Sequence, residues 1–182
     1  MATVPHSATI LINGNLGFYS ALTHVKPESS EGPVQMLWYT ICTSIFSVQQ
    51  GYLIADKSTN TSERDLLVTE VQSTTANPRD SGDMMKRQVF RVKCKASYKD
   101  TPEEWAPTDY LEQVSSPSDR IYAAIAIGTK VKFYRWDKSM TRHGTQLEEL
   151  HTGTIDICHE AHRAEQYMLE IKRQAWDWAG RD

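Results

Sequence analysis

The segment from Gln88 to Lys95 alternates apolar and basic side chains, and it constrains the fold more than any other stretch of the sequence. Successive side chains of a β-strand point to opposite faces of the sheet. The two resulting sets are Phe90, Val92 and Cys94 on one face and Arg91, Lys93 and Lys95 on the other. The pattern predicts a strand with one face in a hydrophobic core and a cationic face that binds an anionic partner.

The charge composition limits how general such binding can be. The chain has 182 residues and a formal net charge of −3, without the basic excess that is typical of nucleic-acid-binding domains. The segment from Lys86 to Lys99 is the local exception, since it contains six lysines and arginines and no acidic residue. A solvated strand edge with its flanking turns explains this segment as well as an anion site does, so both interpretations stay open here.

Length and residue usage predict one globular domain in a reducing compartment. With 40% apolar and 24% charged residues, the composition is ordinary for a globular protein. No apolar run approaches the roughly 18 to 20 residues of a membrane span, and the N-terminal residues lack the pattern of a secretory signal. Cys42, Cys94 and Cys158 are far apart in apolar surroundings, which favours buried thiols. We expect an intracellular protein, cytoplasmic or nuclear, with no membrane partner.

The hydrophobic periodicity predicts a mixed α/β (α+β) domain over residues 33–182, preceded by an N-terminal extension, residues 1–32, of unclear structure. The predicted order is helix, three strands, helix, two strands and a long C-terminal helix, with a central mixed sheet flanked by helices. The predicted elements are a helix from Pro33 through Val48, strands Tyr52–Ala55, Asp65–Gln72 and 88–96, a helix from Thr101, strands Arg120–Ile127 and Lys130–Trp136, and a helix Ile155–Ala179. Residues 141–154 are predicted to be irregular.

Three segments of this order resemble the restriction-endonuclease-like (PD-(D/E)xK) superfamily, and in particular its uncharacterised fungal members. Arg64-Asp65-Leu-Leu-Val is similar to the "PD" strand, and Val92-Lys93-Cys94-Lys95-Ala96 is similar to the "(D/E)xK" strand. The segment from Tyr122 to Trp136 is similar to the hairpin that follows the middle helix. The resemblance covers roughly residues 33–137. It implies a restriction-endonuclease-like core and, in active members, metal-dependent cleavage of nucleic acids.

The resemblance also implies roles for individual residues. Asp65 would be the first ligand of a divalent cation, and Lys95 would stabilise charge on the phosphoryl oxygens. The second carboxylate of the motif is replaced by Lys93. An ammonium within about 4 Å of Mg²⁺ would repel it by several kcal/mol at an effective dielectric near 20. The substitution predicts a decayed metal site, with no cofactor.

Other carboxylates offer alternative metal sites. Glu70 lies on the same predicted strand as Asp65. Because it is five residues further along, its side chain points to the other face, and a bulge would be needed to bring it to the face of Asp65. In another register Glu70-Val-Gln72 is itself the motif strand, with Asp56 as its partner. His159, His162 and Glu165 have helical spacing, but a solvated helix face explains them better than a zinc site.

Three functions follow from these observations. The first is a nuclease-fold protein with a decayed metal site that binds an anion (a nucleic-acid backbone, an anionic small molecule or an acidic protein) through Arg91, Lys93 and Lys95. The second is an active Mg²⁺-dependent nuclease with Asp65, Lys95 and the displaced carboxylate Glu70 as catalytic residues. The third is an unrelated lysine-assisted reaction on the same fold. The sequence favours the first and leaves open both catalysis and the oligomeric state.

Overall fold

One mixed β-sheet and three helices make up the described part of the chain. The computed structural model describes residues 10–58, 64–75, 81–96, 119–137 and 147–180. The helices are α1 (Leu16–His24), α2 (Glu31–Ile45) and α3 (Ile157–Ala179). The strands are β1 (Tyr52–Ser58), β2 (Arg64–Ser73), β3 (Met84–Lys95), β4 (Arg120–Ile127), β5 (Lys130–Asp137), β6 (Leu147–Glu149) and β7 (Ile155–Asp156), with short 3₁₀ turns at Val48–Gln50 and Ser81–Asp83.

The strands follow the order β1-β2-β3-β4-β5-β6, and β7 also pairs with β5. All neighbours are antiparallel except β3 and β4, which are parallel. A parallel pair requires a crossover connection, whereas antiparallel neighbours need only short turns. The prediction of a mixed α/β fold with a central mixed sheet is therefore confirmed. The helix predicted from Thr101 lies outside the described residues.

Helix α2 packs on the sheet through the apolar stripe that the sequence predicts. Its buried side chains include Leu37, Trp38 and Ile41, and the helix begins at Glu31, before the predicted Pro33. The extension of the stripe to Val48 is wrong, because the helix ends at Ile45 and the side chain of Val48 is 69% exposed. The reason is local: the chain leaves the helix at Phe46 and forms a 3₁₀ turn before β1.

Helix α3 carries a second apolar stripe onto the same face of the sheet. Ala164, Met168 and Ile171 are buried, as the periodicity predicts. The helix begins at Ile157 rather than Ile155, because residues 155–156 pair with β5 as β7. The region predicted to be irregular also contains β6, a strand too short for its periodicity to be seen in the sequence.

Residues 10–32, which the sequence patterns leave unassigned, belong to the same core. Leu11 and Phe18 are buried in the cluster that contains α2 and α3. Glu165 on α3 accepts hydrogen bonds from the backbone N–H groups of Ile10 (2.6 Å) and Leu11 (3.0 Å). The prediction that Glu165 lies on a solvated helix face is wrong, since its side chain is buried and satisfies this backbone.

The two faces of the sheet differ in what covers them. We call the side that α2 and α3 contact the helix face; its core includes Leu66, Phe90, Val92 and Phe133. We call the other side the lysine face, because Lys93 and Lys95 point to it. A separate apolar cluster lies on the lysine face, and its buried members in the described residues all come from β4 and β5: Ile121, Ala123, Ile125, Ile127, Tyr134 and Trp136. None of the described helices is long and apolar enough to cross a membrane.

Candidate functional site

The pairing of β2 with β3 brings the predicted site residues to one place on the lysine face. Asp65 lies directly opposite Lys93, and Leu67 lies opposite Arg91. Directly opposed residues of an antiparallel pair point to the same face, with Cβ atoms about 5 Å apart. Lys95 lies two residues after Lys93 on β3 and therefore points to the same face. The structure thus places Asp65, Arg91, Lys93 and Lys95 on one face, as the alternation predicts.

Arg91 and Asp65 form a buried ion pair at the centre of this site. A terminal nitrogen of the guanidinium donates a hydrogen bond to Oδ2 of Asp65. The two residues are 6% and 2% exposed. A charge-assisted hydrogen bond of this kind offsets the cost of burying each charge, and removing one partner would leave the other uncompensated. The Arg91 guanidinium already compensates the carboxylate.

Lys93 is the second cation beside this carboxylate. It is 4% exposed and occupies the ladder position opposite Asp65. The cationic face of β3 is therefore not an open surface: Arg91 and Lys93 are buried, and Lys95 is half-buried. The prediction that Arg91, Lys93 and Lys95 all face an external anion is therefore corrected for Arg91 and Lys93. The charges at positions 91 and 93 lie inside the protein, and that of Arg91 pairs with a buried acid.

One oxygen of Asp65 has no hydrogen-bond partner in the described part of the chain. It is Oδ1, and it is buried. A Mg²⁺ site in proteins takes oxygen ligands in octahedral geometry, usually from one or two carboxylates and several waters. Here one carboxylate oxygen is available while a guanidinium binds the other and a lysine lies opposite. These residues do not fit a divalent cation.

Glu70 does not supply the missing carboxylate. It pairs with Tyr52 of β1, on the helix face, whereas Asp65 is on the lysine face. The sheet does contain a bulge next to this point, but the extra residue is Val89 on β3, so the alternation along β2 is unbroken. The structure therefore does not bring Glu70 beside Asp65. Its carboxylate instead accepts a hydrogen bond from Gln72 (2.9 Å), and burial together with this carboxylate raises the pKa of Tyr52 to about 12.

The alternative metal site, with Asp56 as the partner of Glu70, is not assembled either. Asp56 pairs with Leu66, and Glu70 pairs with Tyr52, four residues away on the same strand. At about 3.3 Å per residue, this separation is about 13 Å along the sheet, too far for one shared cation. Within the described ranges, no group of three or more His, Cys, Asp and Glu side chains is placed to hold a metal ion.

Lysines at one end of the lysine face form a basic rim, which we define as Lys57, Lys95 and Lys130. Lys57 and Lys130 are exposed, and Lys95 is half-buried. Lys95 and Lys130 flank Ile127 in one row across β3, β4 and β5. Sequence reasoning found Lys95 but missed Lys57 and Lys130, because they come from β1 and β5, each two strands away from β3, and only the sheet order brings them to the same face. Lys132, also on this face, is buried and pairs with Glu149 at 2.6 Å.

Comparisons of the chain with protein-family models, with curated proteins and with solved structures find no match. The described residues define a mixed α/β protein in which a buried carboxylate–guanidinium pair lies beside a lysine, next to a basic rim.

Proposed function

We propose that this chain is a binding protein with a restriction-endonuclease-like architecture and a decayed metal site, and that it binds an extended polyanion, in the class of a nucleic-acid backbone, at the basic rim. The observation that carries the proposal is the ion pair of Arg91 with Asp65. The carboxylate that the resemblance assigns to the metal is bound by an internal cation. The exposed lysines of the rim, Lys57 and Lys130, then provide the positive charge for binding.

The order of the strands supports the architecture in this proposal. Three antiparallel strands, β1 to β3, are followed by β4, which runs parallel to β3. Helix α2 precedes them and β5 forms a hairpin with β4. This is the order expected from the resemblance, apart from the middle helix, which lies outside the described residues. Asp65 and the Lys93–Lys95 segment also share one face of adjacent strands, as the resemblance implies.

The charges around Asp65 support the loss of metal-dependent chemistry. A catalytic site of this kind needs carboxylates that hold a cation against the phosphate. In this structure the charges beside Asp65 are those of Arg91, hydrogen-bonded to it, and of Lys93 and Lys57, which lie opposite it on the two neighbouring strands. Glu70 lies on the other face. A cation would therefore have to displace a guanidinium and to tolerate a neighbouring ammonium, both unfavourable in a buried site.

The geometry of the rim supports an extended ligand. Strands are about 4.8 Å apart, so Lys95 and Lys130, two strands apart, are separated by about 10 Å, and Lys57 and Lys130 by about 20 Å. A single phosphate cannot contact lysines over that span, whereas a chain of phosphates can. Lysine binds phosphate as a point charge, without base specificity, and releases counterions on doing so. We therefore expect binding that depends on salt and depends little on nucleotide sequence.

The test is fluorescence anisotropy with labelled single- and double-stranded DNA and RNA oligonucleotides at several salt concentrations. The variant is Lys57→Glu/Lys130→Glu, in which two exposed side chains are reversed in charge. Its matched control is Lys26→Glu/Lys86→Glu, which makes the same change at two exposed lysines away from the rim. We expect the rim variant to weaken binding about tenfold or more and to flatten the salt dependence, while the control variant binds like the wild type. Absence of binding, or equal losses in both variants, would overturn the proposal.

A further inference from the structure

The first third of the chain is nearly free of charge. Of the 20 basic and 23 acidic residues, only Lys26, Glu28 and Glu31 lie within residues 1–55. Helix α2 therefore has no charged side chain after its first residue, Glu31. A helix at a protein surface normally presents charged side chains to water, and a helix without them is normally buried. The outer side of α2 thus has the composition of a surface that is covered.

Large apolar and aromatic side chains are nevertheless exposed on this side of α2. Met36 is 60% exposed and Tyr39 is 42% exposed. Together with Thr43, which is also exposed, they occupy positions three and four residues apart, which places them on one side of the helix. This side is opposite to the buried stripe that includes Leu37 and Ile41.

Helix α1 extends the same surface. The side chain of Asn15 donates a hydrogen bond to Oγ of Ser44 at 3.0 Å, which joins the start of α1 to the last turn of α2. The next residue, Leu16, is 81% exposed. We define the uncharged face as Leu16, Met36, Tyr39 and Thr43. Tyrosine and methionine are enriched, and charged residues depleted, at the centres of protein–protein interfaces.

The threonine hydroxyl groups of α2 do not depend on water. The hydroxyl of Thr43 donates to the carbonyl of Tyr39 at 2.9 Å, and that of Thr40 donates to the carbonyl of Met36 at 2.9 Å. Hydrogen bonds of this kind to the preceding helical turn satisfy the hydroxyl within its own helix. Covering the uncharged face would therefore leave neither hydroxyl without a partner, and the cost of removing water from it is small.

Helix α3 shows that this composition is specific to one side of the protein. Both α2 and α3 pack on the helix face of the sheet through a buried apolar stripe. The exposed side of α3, however, carries the ion pairs of Arg163 with Glu160 (3.0 Å) and of Arg173 with Glu170 (2.6 Å). The outer side of α3 is thus that of a helix in water, and the outer side of α2 is not.

The lack of charge also restricts what can cover the uncharged face. A partner with charged side chains at this place would lose their hydration without gaining opposite charges. The surface of the partner is therefore uncharged as well, and the chain itself provides such a surface. Most homo-oligomers are two-fold dimers, in which the same patch of both copies meets. We infer that the uncharged face binds the uncharged face of a second copy of this chain in a symmetric dimer.

The size of the face predicts a weak dimer. Helix α2 has 15 residues and is therefore about 22 Å long, and with α1 beside it the surface is about 20 Å wide. An area on the order of 450 Å² per copy lies at the low end of specific interfaces, where complexes are transient. We expect a dissociation constant in the micromolar range. The inference does not rest on the proposed polyanion site, because α2 lies on the helix face and the dimer leaves both lysine faces uncovered.

The experiment is sedimentation equilibrium of the full chain from about 1 μM to about 500 μM, which brackets the affinity of a small interface. We expect a reversible equilibrium between monomer and dimer. A chain that stays monomeric over the whole range would overturn the inference. A monomer that instead binds phosphatidylcholine vesicles through the same residues would also overturn it and would assign the uncharged face to a membrane surface.

Two variants locate the interface. Met36→Lys/Thr43→Lys places two charges on the outer side of α2 and should weaken the dimer about tenfold or more. Leu16→Lys changes a side chain that is almost fully exposed, so that it cannot act through the core, and should weaken the dimer several-fold. Unchanged dimerisation in both variants would overturn the inference.

The matched control is His162→Lys/Leu169→Lys on α3. It adds the same two charges at exposed positions with the same spacing of seven residues, but on the charged helix. We expect this control to dimerise like the wild type, and a loss equal to that of Met36→Lys/Thr43→Lys would contradict the assigned surface. The rim variant Lys57→Glu/Lys130→Glu should also dimerise like the wild type, which separates this result from the test of the polyanion site.

Discussion

Arg91 donates a hydrogen bond to Oδ2 of Asp65 from the neighbouring strand, and both side chains are buried beneath the lysine face of the sheet. The pair joins β2 to β3 at the place where the sequence resembles a metal-dependent nuclease. An internal guanidinium thus binds the carboxylate that the resemblance assigns to a metal.

The first prediction concerns the stability that depends on this pair. Arg91→Met should lower the free energy of unfolding by about 3–5 kcal/mol, because it leaves a buried carboxylate without its partner. The double variant Asp65→Leu/Arg91→Met removes both charges and should be markedly more stable than Arg91→Met alone. Urea unfolding of the wild type and both variants measures the difference. A double variant that is less stable than the single variant would show that the pair is not the dominant interaction of Arg91.

The second prediction is a pH dependence that arises from His151. Its Nε2 accepts a hydrogen bond from the backbone N–H of Phe133 at 3.1 Å and thereby completes the edge of β5 between β6 and β7. Burial lowers the pKa of His151, and the cations Arg163 and Lys132 lower it further. The unfolded chain therefore binds this proton more readily. The contribution of His151 to stability is present above the unfolded pKa of about 6.5 and is lost as the pH falls below it.

The measurement is the free energy of unfolding between about pH 7.5 and pH 5, a range that spans the ordinary pKa of histidine. The control is His151→Gln, in which an amide oxygen can accept the same hydrogen bond without titrating. We expect the decline in stability toward acid pH to be smaller in the control. Identical pH profiles for the two proteins would contradict the role assigned to His151.

The third prediction concerns the cysteines. Cys42 and Cys94 are fully buried, and burial raises the pKa of both thiols. Cys158 is exposed, so the expectation of three buried thiols is wrong at this position. The thiolate is the reactive form, so the two buried thiols should not react while the protein is folded. A thiol reagent should modify one cysteine in the native protein and three after denaturation, and Cys158→Ser should remove the fast reaction. Rapid modification of Cys42 or Cys94 under native conditions would contradict the packing described above.

The fourth prediction concerns the end of α2. Lys172 on α3 donates hydrogen bonds to the carbonyl of Ile45 (2.6 Å) and to Oε1 of Gln50 (2.7 Å). A cation at a helix C-terminus satisfies a carbonyl that has no partner within the helix. Lys172→Met keeps the apolar stem and should lower the free energy of unfolding by about 1 kcal/mol. Arg173→Met, at the next position on α3 and exposed, is the control and should change stability less.

Much of the fold could be predicted because its elements have clear periodicity. The strand Arg120–Ile127 was predicted with its observed bounds, and the buried stripes of α2 and α3 follow the helical repeat. Residues 10–32 were not assigned because α1 is short and its first residue, Leu16, is 81% exposed. Its packing depends on contacts with α2 that no local pattern contains.

The site could be predicted in part. The alternation of side chains correctly predicted that Arg91, Lys93 and Lys95 share one face of the sheet. The five-residue spacing correctly predicted that Glu70 and Asp65 point to different faces, and the bulge at Val89 does not change this because it lies on β3. The ion pair of Arg91 with Asp65 was missed because it depends on the register between β2 and β3, which no pattern within either strand contains. When Asp65 is paired with Lys93, Arg91 becomes the diagonal neighbour of Asp65 on the same face. The register between the two strands was therefore the missing information.

The most direct test of the central claim is a calorimetric titration of the wild-type chain with Mg²⁺ and Mn²⁺, with Asp65→Ala as the control, beside an assay of cleavage of single- and double-stranded DNA and RNA. We predict no saturable metal binding that depends on Asp65, and no cleavage. Saturable binding together with cleavage, both lost in Asp65→Ala, would contradict the account and would show that a metal displaces Arg91 from its carboxylate.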